Sequence, residues 1–301
     1  MNFEERIRCD RIKDKVMSAE EAASLIKNGM TIGTSGFVTG GPKAVPLAIA
    51  ERYKNEKIKL NLYTGAIVGD ELDGNFAREG LVDKRIPYQT NKDMRNAINN
   101  GDVKFIDMHL SHMPQQLRYG FLGKIDYAIV EAVAITEDGG IIPTMSVGNS
   151  PTFVNMADKV IVEINTSQPI ELEGMHDIYE PKDPPYREPI PISKVSDRIG
   201  VPYIPCNPDK IAAVVFSDMK DTTLQLTSIN ETSKKISDYL IDFLQTEIKH
   251  GRLPKTFHPL QSGVGNVANA VLGGFIELKY NNLNLYSEVI QDAVLDLIDA
   301  D

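Results

Sequence analysis

An α/β fold with mainly parallel sheets follows from three features of this 301-residue chain. Apolar, β-branched runs recur along it, glycine-bearing turns follow the early ones, and segments with helical spacing stand between them. Runs that are apolar at every position suit strands buried on both faces, and the alternation of strand, glycine turn and helix implies βαβ units.

Taken in order, Ser18-Ala19-Glu20-Glu21 reads as a capping box, and Ala22, Leu25 and Ile26 follow at helical spacing up to Asn28-Gly29. Residues 30–34 form a short strand. The loop Ser35-Gly36-Phe37 to Gly40-Gly41-Pro42 comes next, with Pro42 placed to start a helix over Val45, Leu47, Ala48 and Ile49. Residues 58–63 form the next strand, ending in the turn Thr64-Gly65-Ala66. Further strands are expected over residues 104–110, 127–135, 160–164 and 211–216, with helices within 93–99 and 148–157. Eight of the 17 prolines lie between Pro181 and Pro208. Proline fixes φ and withholds a backbone donor, so this stretch is extended chain along the surface of the first domain.

The sequence divides into a first domain over residues 1–220 and the start of a second over 221–301. A long helix with Ile236, Tyr239, Leu240, Phe243 and Leu244 on one face opens the second domain. A glycine turn, a helix, a short strand and a final helix with Val289, Ile290, Ala293, Val294, Leu297 and Ile298 complete it. That is too little for a covered sheet, so the chain is expected to be truncated or completed by a partner chain.

A net charge of −10 argues against nucleic-acid binding while leaving room for one locally basic or amide-lined anion site. Two cysteines, Cys9 and Cys206, make no disulfide framework, the first residues lack a signal-peptide pattern, and no apolar stretch is long enough to span a bilayer. The expected location is the cytoplasm, with no membrane partner.

Three places could carry chemistry. In the first, Gln261-Ser262-Gly263-Val264-Gly265-Asn266-Val267-Ala268-Asn269 is a glycine turn opening a helix, and Glu288 follows Ser287, a good N-cap. Backbone N–H groups at such a turn accept an anion or a developing oxyanion, and an ionised carboxylate beside them can act as a nucleophile toward an acyl group. The plain alternative is an ordinary acidic first helical turn. A second alternative is a dinucleotide turn, since Gly263-Val264-Gly265-Asn266-Val267-Ala268 matches G-x-G-x-x-A, but residues 255–261 lack the preceding strand that this reading needs. In the second place, Asp107-Met108-His109-Leu110-Ser111-His112 sets two histidines near an aspartate, which reads as a polar lining at a strand end and not as a metal site. In the third, Glu131 sits inside an apolar strand, where a carboxyl is either shifted upward as an acid or paired with a base or a neighbouring turn.

Together these stretches resemble the acetyl-CoA hydrolase/transferase branch of the class I coenzyme A transferases, with a particular likeness to succinyl-CoA:acetate-type enzymes. The resemblance is carried by Ser35-Gly36-Phe37, Arg85-Ile86-Pro87-Tyr88-Gln89-Thr90-Asn91, residues 107–113, Glu131-Ala132-Val133-Ala134-Ile135-Thr136, residues 159–165, residues 261–271 and Tyr286-Ser287-Glu288-Val289-Ile290-Gln291-Asp292. It implies two related α/β domains, commonly in a homodimer, and a ping-pong reaction on acyl-CoA and small carboxylates. Glu288 then falls on the nucleophile that becomes a glutamyl–CoA thioester, Val264 on a backbone oxyanion donor, and Gly263, Val264, Gly265, Asn266 and Val267 on the CoA-contacting loop. Coenzyme A would be a substrate, with no cofactor and no metal. Members of the family are longer than this chain and hold a second oxyanion donor in the remainder. The resemblance leaves transferase, acyl-CoA hydrolase and non-catalytic CoA-binding subunit or inactive fragment as readings, and does not name the acid.

Overall fold

A computed structural model describes residues 3–67, 69–194, 196–222, 229–257, 259–278 and 283–300. The chain divides into two units, Met1–Leu224 and Gln225–Asp301.

The first unit is organised by one sheet. Its strands are β1 (Thr31–Gly33), β3 (Leu60–Tyr63), β5 (Val82–Ile86), β6 (Lys104–Phe105), β7 (Ile125–Ile135), β8 (Ile141–Pro143), β9 (Ala157–Asn165) and β10 (Ile211–Ser217), while β2 (Phe37–Val38) and β4 (Ala66–Ile67) form a separate parallel pair. The order is β10-β9-β7-β1-β3-β5-β6. All of these pairings are parallel, and β8 pairs antiparallel with β7. The helices are α1 (Phe3–Arg6), α2 (Ala19–Ala23), α3 (Ala44–Tyr53), α4 (Asp73–Arg78), α5 (Lys92–Asn99), α6 (Met113–Arg118) and α7 (Ser150–Met156).

The period of two along each strand assigns side chains to opposite faces of this sheet. Ala128, Val130, Val160, Val162 and Val214 join one apolar cluster with Met113, Leu117 and Phe153. Ile129, Ile161, Ala213 and Val215 join the other with Val45, Ile49, Phe76 and Met94. Burial on both faces is why these strands read as continuous apolar runs.

Local chemistry sets several boundaries. The capping box forms as expected: Ser18 Oγ accepts from Glu21 N–H at 3.1 Å and the Glu21 carboxylate accepts from Ser18 N–H at 2.8 Å. Pro42 lies just before α3, whose N-cap position is Lys43. Its first amides are capped from a distance in sequence, because the Glu163 carboxylate on β9 accepts from Lys43, Ala44 and Val45 N–H at 3.0–3.1 Å. The expected strand over 104–110 stops at Phe105. His109 N-caps a 3₁₀ turn, its Nδ1 accepting from Ser111 N–H, and the chain then enters α6. The proline-rich stretch is extended and surface-lying. Arg118 holds it through Asp183, with Nη2 to Oδ1 at 2.7 Å, and the Asp177 carboxylate accepts from Ile199 and Gly200 N–H.

β5 is one of the strands that pattern reading passes over, with β2, β4 and β8. Its Arg85, the fourth of five residues, is fully buried and forms a two-pronged ion pair with Asp73, at 2.8 Å from Nε and 2.7 Å from Nη2, while Nη1 donates to the Ile86 carbonyl. Removing one member of such a pair strands a buried charge, whereas replacing both with apolar groups removes the penalty. Arg85→Met is therefore expected to lower unfolding free energy by about 3–5 kcal/mol, and Arg85→Met with Asp73→Leu to recover most of it, in urea titrations. Equal losses in the single and double variants would contradict the pairing argument.

The second unit holds α8 (Glu231–Lys249), α9 (Asn266–Gly274), a 3₁₀ turn at Phe275–Leu278 and α10 (Asp292–Asp299). Among its described residues there is no strand; the expected one is an isolated parallel bridge between Leu260 and Leu285. The face that α8 buries is also the reverse of the apolar stripe. Ser233 and Ser237 are buried, with Ser237 Oγ donating to the Ala270 carbonyl at 3.0 Å, while Tyr239 is 76% and Phe243 55% exposed. Small residues on both helices permit this approach: a Cβ added at Gly274 would lie 2.5 Å from Ser237 Oγ.

Candidate functional site

Within the second unit, the glycine turn and the stretch bearing Glu288 are stitched together along their length. Leu260 N–H donates to the Asn284 carbonyl at 2.7 Å, and Tyr286 N–H to the Leu260 carbonyl at 2.9 Å. One residue on, Ser287 Oγ donates to the Ser262 carbonyl at 3.0 Å and accepts from Ser262 N–H at 3.3 Å. Gln291 then closes the far end, its Nε2 donating to the Gly263 carbonyl at 2.7 Å and its Oε1 accepting from Gly265 N–H at 2.9 Å. Ala293 N–H donates to Asn269 Oδ1 at 3.0 Å, which ties α10 to α9. Glu288 thus stands between two residues, Ser287 and Gln291, that both grip the turn, and its own side chain is exposed.

This geometry corrects the expected local structure of the glutamate. Ser287 is not an N-cap and Glu288 is not in a first helical turn; α10 begins at Asp292, with Gln291 at the N-cap position. Pairing with Leu260 keeps residues 284–286 extended, and the Ser287 hydroxyl is engaged by Ser262, so the helix starts only beyond Gln291. Glu288 therefore lies outside the first turn of α10 and not at a helix N-terminus.

The turn itself behaves as a glycine turn should. Gly265 adopts φ 131° and ψ 173°, a region essentially restricted to glycine, and from there the chain enters α9 through Asn266 and Val267. Gln291 occupies the Gly265 N–H. The neighbouring Val264 N–H has no acceptor among the described residues, and the Val264 side chain is half exposed. No strand precedes the turn among the described residues, as the dinucleotide reading would require.

A second constellation lies in the first unit. The strand order reverses between β1 and β7, and in open parallel sheets the crevice outside the carboxyl ends at such a point is the usual ligand position. Here β7 outruns β1, and the loop from Ser35 to Lys43 lies beside the extension. Val38 in this loop has φ 65°, a strained value for a β-branched residue, and Gly40 has φ 70°. Glu131, at the third candidate place, is buried and saturated: Lys43 Nζ donates at 2.6 Å and Asn165 Nδ2 at 2.7 Å to one oxygen, and Thr144 Oγ1 at 2.7 Å to the other. Burial pushes the Glu131 carboxyl up from its ordinary value, against the pull of Lys43, Thr144 and Asn165. Burial also works against the Lys43 ammonium, but Glu131 and Asp221 outweigh it and hold the lysine above its ordinary value. Both expectations for Glu131 are met at once: its carboxyl is shifted upward by burial, and it is paired with a base. Sequence reading did not single out Lys43 or Glu163; the signal available was a charged residue at a helix start and an acid inside an apolar strand.

The histidine stretch at 107–112 contains a turn where a strand was expected, with His109 and His112 exposed. Among the described residues no group of three or more His, Cys, Asp or Glu side chains is placed to hold a metal ion.

The two glycines differ in a way that substitution can read. Gly265→Ala forces a side chain into the glycine-only region and is expected to destabilise the second unit by about 1–3 kcal/mol. Gly263→Ala, whose added Cβ meets open space, is expected to change stability by less than about 1 kcal/mol. Thermal unfolding of the two variants checks this; similar losses would contradict the strained geometry of Gly265.

A sequence profile of the acetyl-CoA hydrolase/transferase N-terminal domain matches residues 1–216. The chain is 52% identical over 298 residues to succinyl-CoA:acetate CoA-transferase of Clostridium kluyveri, covering 98% of this chain and 55% of that protein. It is 43% identical over 309 residues to acetyl-CoA hydrolase of Saccharomyces cerevisiae, covering 99% and 58%. The chain thus spans a little over half the length of these relatives. Among solved structures, RipA from Yersinia pestis superposes with a TM-score of 0.68 at 20% identity, covering 96% of this chain and 59% of RipA. A 4-hydroxybutyrate CoA-transferase from Porphyromonas gingivalis gives 0.57 at 16%, covering 95% and 57%. These two likenesses concern the fold. With the profile match over most of its length, the chain belongs to the acetyl-CoA hydrolase/transferase family.

Proposed function

We propose that the protein transfers coenzyme A from an acyl-CoA, succinyl-CoA foremost, to a small carboxylate such as acetate, with Glu288 as nucleophile. One observation carries this reading: hydrogen bonds from Ser287 and Gln291 hold the stretch bearing an exposed glutamate against a glycine turn whose Val264 N–H has no acceptor among the described residues. A Glu288 carboxylate oxygen attacks the thioester carbonyl. The C–S bond breaks, releasing CoA thiolate and leaving an acyl–glutamyl anhydride. The thiolate attacks the glutamyl carbonyl, expelling the first acid as its carboxylate and forming a glutamyl–CoA thioester. The second carboxylate reverses both steps and restores Glu288. In each step negative charge builds on a carbonyl oxygen, where an N–H such as that of Val264 acts, and such a donor is worth about 3 kcal/mol. Gly263, Val264, Gly265, Asn266 and Val267 are the residues proposed to contact CoA.

The C. kluyveri relative supports the succinyl-CoA and acetate assignment. The S. cerevisiae relative supports a second reading, acetyl-CoA hydrolysis, in which water takes the place of the second carboxylate. The nucleophile can be common to both, so the outcome depends on whether water reaches the anhydride or thioester. A cytoplasmic homodimer is part of the same proposal. No helix among the described residues is long and apolar enough to cross a membrane.

The test is covalent. Incubation with succinyl-CoA followed by borohydride is expected to modify Glu288, detected by peptide mass spectrometry, and Glu288→Ala is expected to abolish both the mark and at least about a thousandfold of turnover. Equal labelling of Glu288→Ala would refute the nucleophile. Acetate-dependent formation of acetyl-CoA supports the transferase; release of free CoA at the same rate without acetate supports the hydrolase.

A further inference from the structure

The carboxamide of Gln291 touches the glycine turn at two peptides, and one of them carries the Val264 N–H. Its Nε2 donates to the Gly263 carbonyl at 2.7 Å, and its Oε1 accepts from Gly265 N–H at 2.9 Å. A peptide unit is planar and here trans, so the Gly263 carbonyl and the Val264 N–H are opposite edges of one rigid plate. Holding the carbonyl toward Gln291 turns the Val264 N–H away from it. That N–H has no acceptor among the described residues.

Little else steers this plate. Gly263 has no side chain, a Cβ added there would meet open space, and Val264 is half exposed. Among the described residues the Gly263 carbonyl has one further partner, Ser262 Oγ, at a longer 3.3 Å. Gln291 itself is buried, and its side chain makes no capping bond to α10 although it stands at the N-cap position. A buried amide needs a partner at each end, and here both ends go to the turn. The bond received by the carbonyl also polarises the peptide, which strengthens its N–H as a donor.

We propose that Gln291 is a positioning residue that aims the Val264 N–H at the place where an oxyanion develops. This rests on the function proposed above and names what sets the direction of its oxyanion donor. Gln291 acts through the peptide and not on the substrate. An oxyanion donor works on charge that appears in the transition state, so mis-aiming it lowers kcat and leaves the KM for acyl-CoA nearly unchanged.

Two variants of the full chain test this, Gln291→Glu and Gln291→Met, each assayed below its melting temperature. The carboxylate of Gln291→Glu still accepts from Gly265 N–H but has no hydrogen for the Gly263 carbonyl; once protonated, it can make both bonds. At about pH 8 both variants are expected to lose about ten- to a hundredfold in kcat with KM changed by less than about twofold. Toward about pH 5 the kcat of Gln291→Glu, relative to the parent at the same pH, is expected to recover, while Gln291→Met stays low. Either variant decides alone if the other does not fold, Gln291→Met by the split between kcat and KM and Gln291→Glu also by its pH dependence. A parental kcat, a loss carried mainly by KM, or a ratio for Gln291→Glu that does not change with pH overturns the positioning role. If the parent still labels at Glu288 with succinyl-CoA, those results leave the nucleophile standing. Absence of that label refutes the proposed function and the role of Gln291 with it.

Discussion

The ammonium of Lys43 is the constraint on which the first unit's arrangement turns. A sheet that reverses its strand order leaves a crevice beside β1, and here a glycine-rich loop fills it. Such a loop has little apolar surface of its own to bury, so its shape must come from polar contacts. Lys43 supplies them from the inside, while Ser146 Oγ accepts from Phe37 N–H and donates to the Thr39 carbonyl from the other side. The strained backbone at Val38 persists because so many bonds fix its surroundings.

Glu163 completes that arrangement by a different route. Its negative charge has no lysine of its own but faces three amides at the start of α3, where a carboxylate is favoured by both hydrogen bonding and the helix dipole. Two acids that are registered partners on the adjacent strands β7 and β9 are thus neutralised by one short segment: Glu131 by the Lys43 side chain and Glu163 by the backbone amides of Lys43, Ala44 and Val45. The loop, the helix and the two central strands are fixed as one body.

The second unit solves a related problem with neutral groups. An exposed glutamate needs a defined position relative to the turn beside it, and Ser287 and Gln291 provide this with paired donor and acceptor bonds to Ser262, Gly263 and Gly265. Because each side chain both gives and accepts, a shift of register by one residue would lose all four bonds. Geometry of this kind suits the role proposed for Glu288, which asks for a carboxylate held still beside the turn.

How much of this the sequence discloses depends on whether the signal is local. The strands buried on both faces, the capping box at Ser18 and the glycine turn before α9 are written in neighbouring residues and are legible. Arg85 is not, because a buried arginine looks like an exposed one until Asp73 is known to face it, and β5 is lost with it. Ser287 misleads for the same reason: a serine before Glu288 is a good cap in isolation, but a hydroxyl can satisfy only a few partners, and Ser262 takes it. The face of α8 is the sharpest case. An apolar stripe through Tyr239 and Phe243 predicts a buried face, yet Ser233 and Ser237 are the residues buried, because close approach to Ala270 and Gly274 demands small side chains. Periodicity identifies which side of a helix is apolar, whereas packing within this unit is decided by which side is small enough to touch.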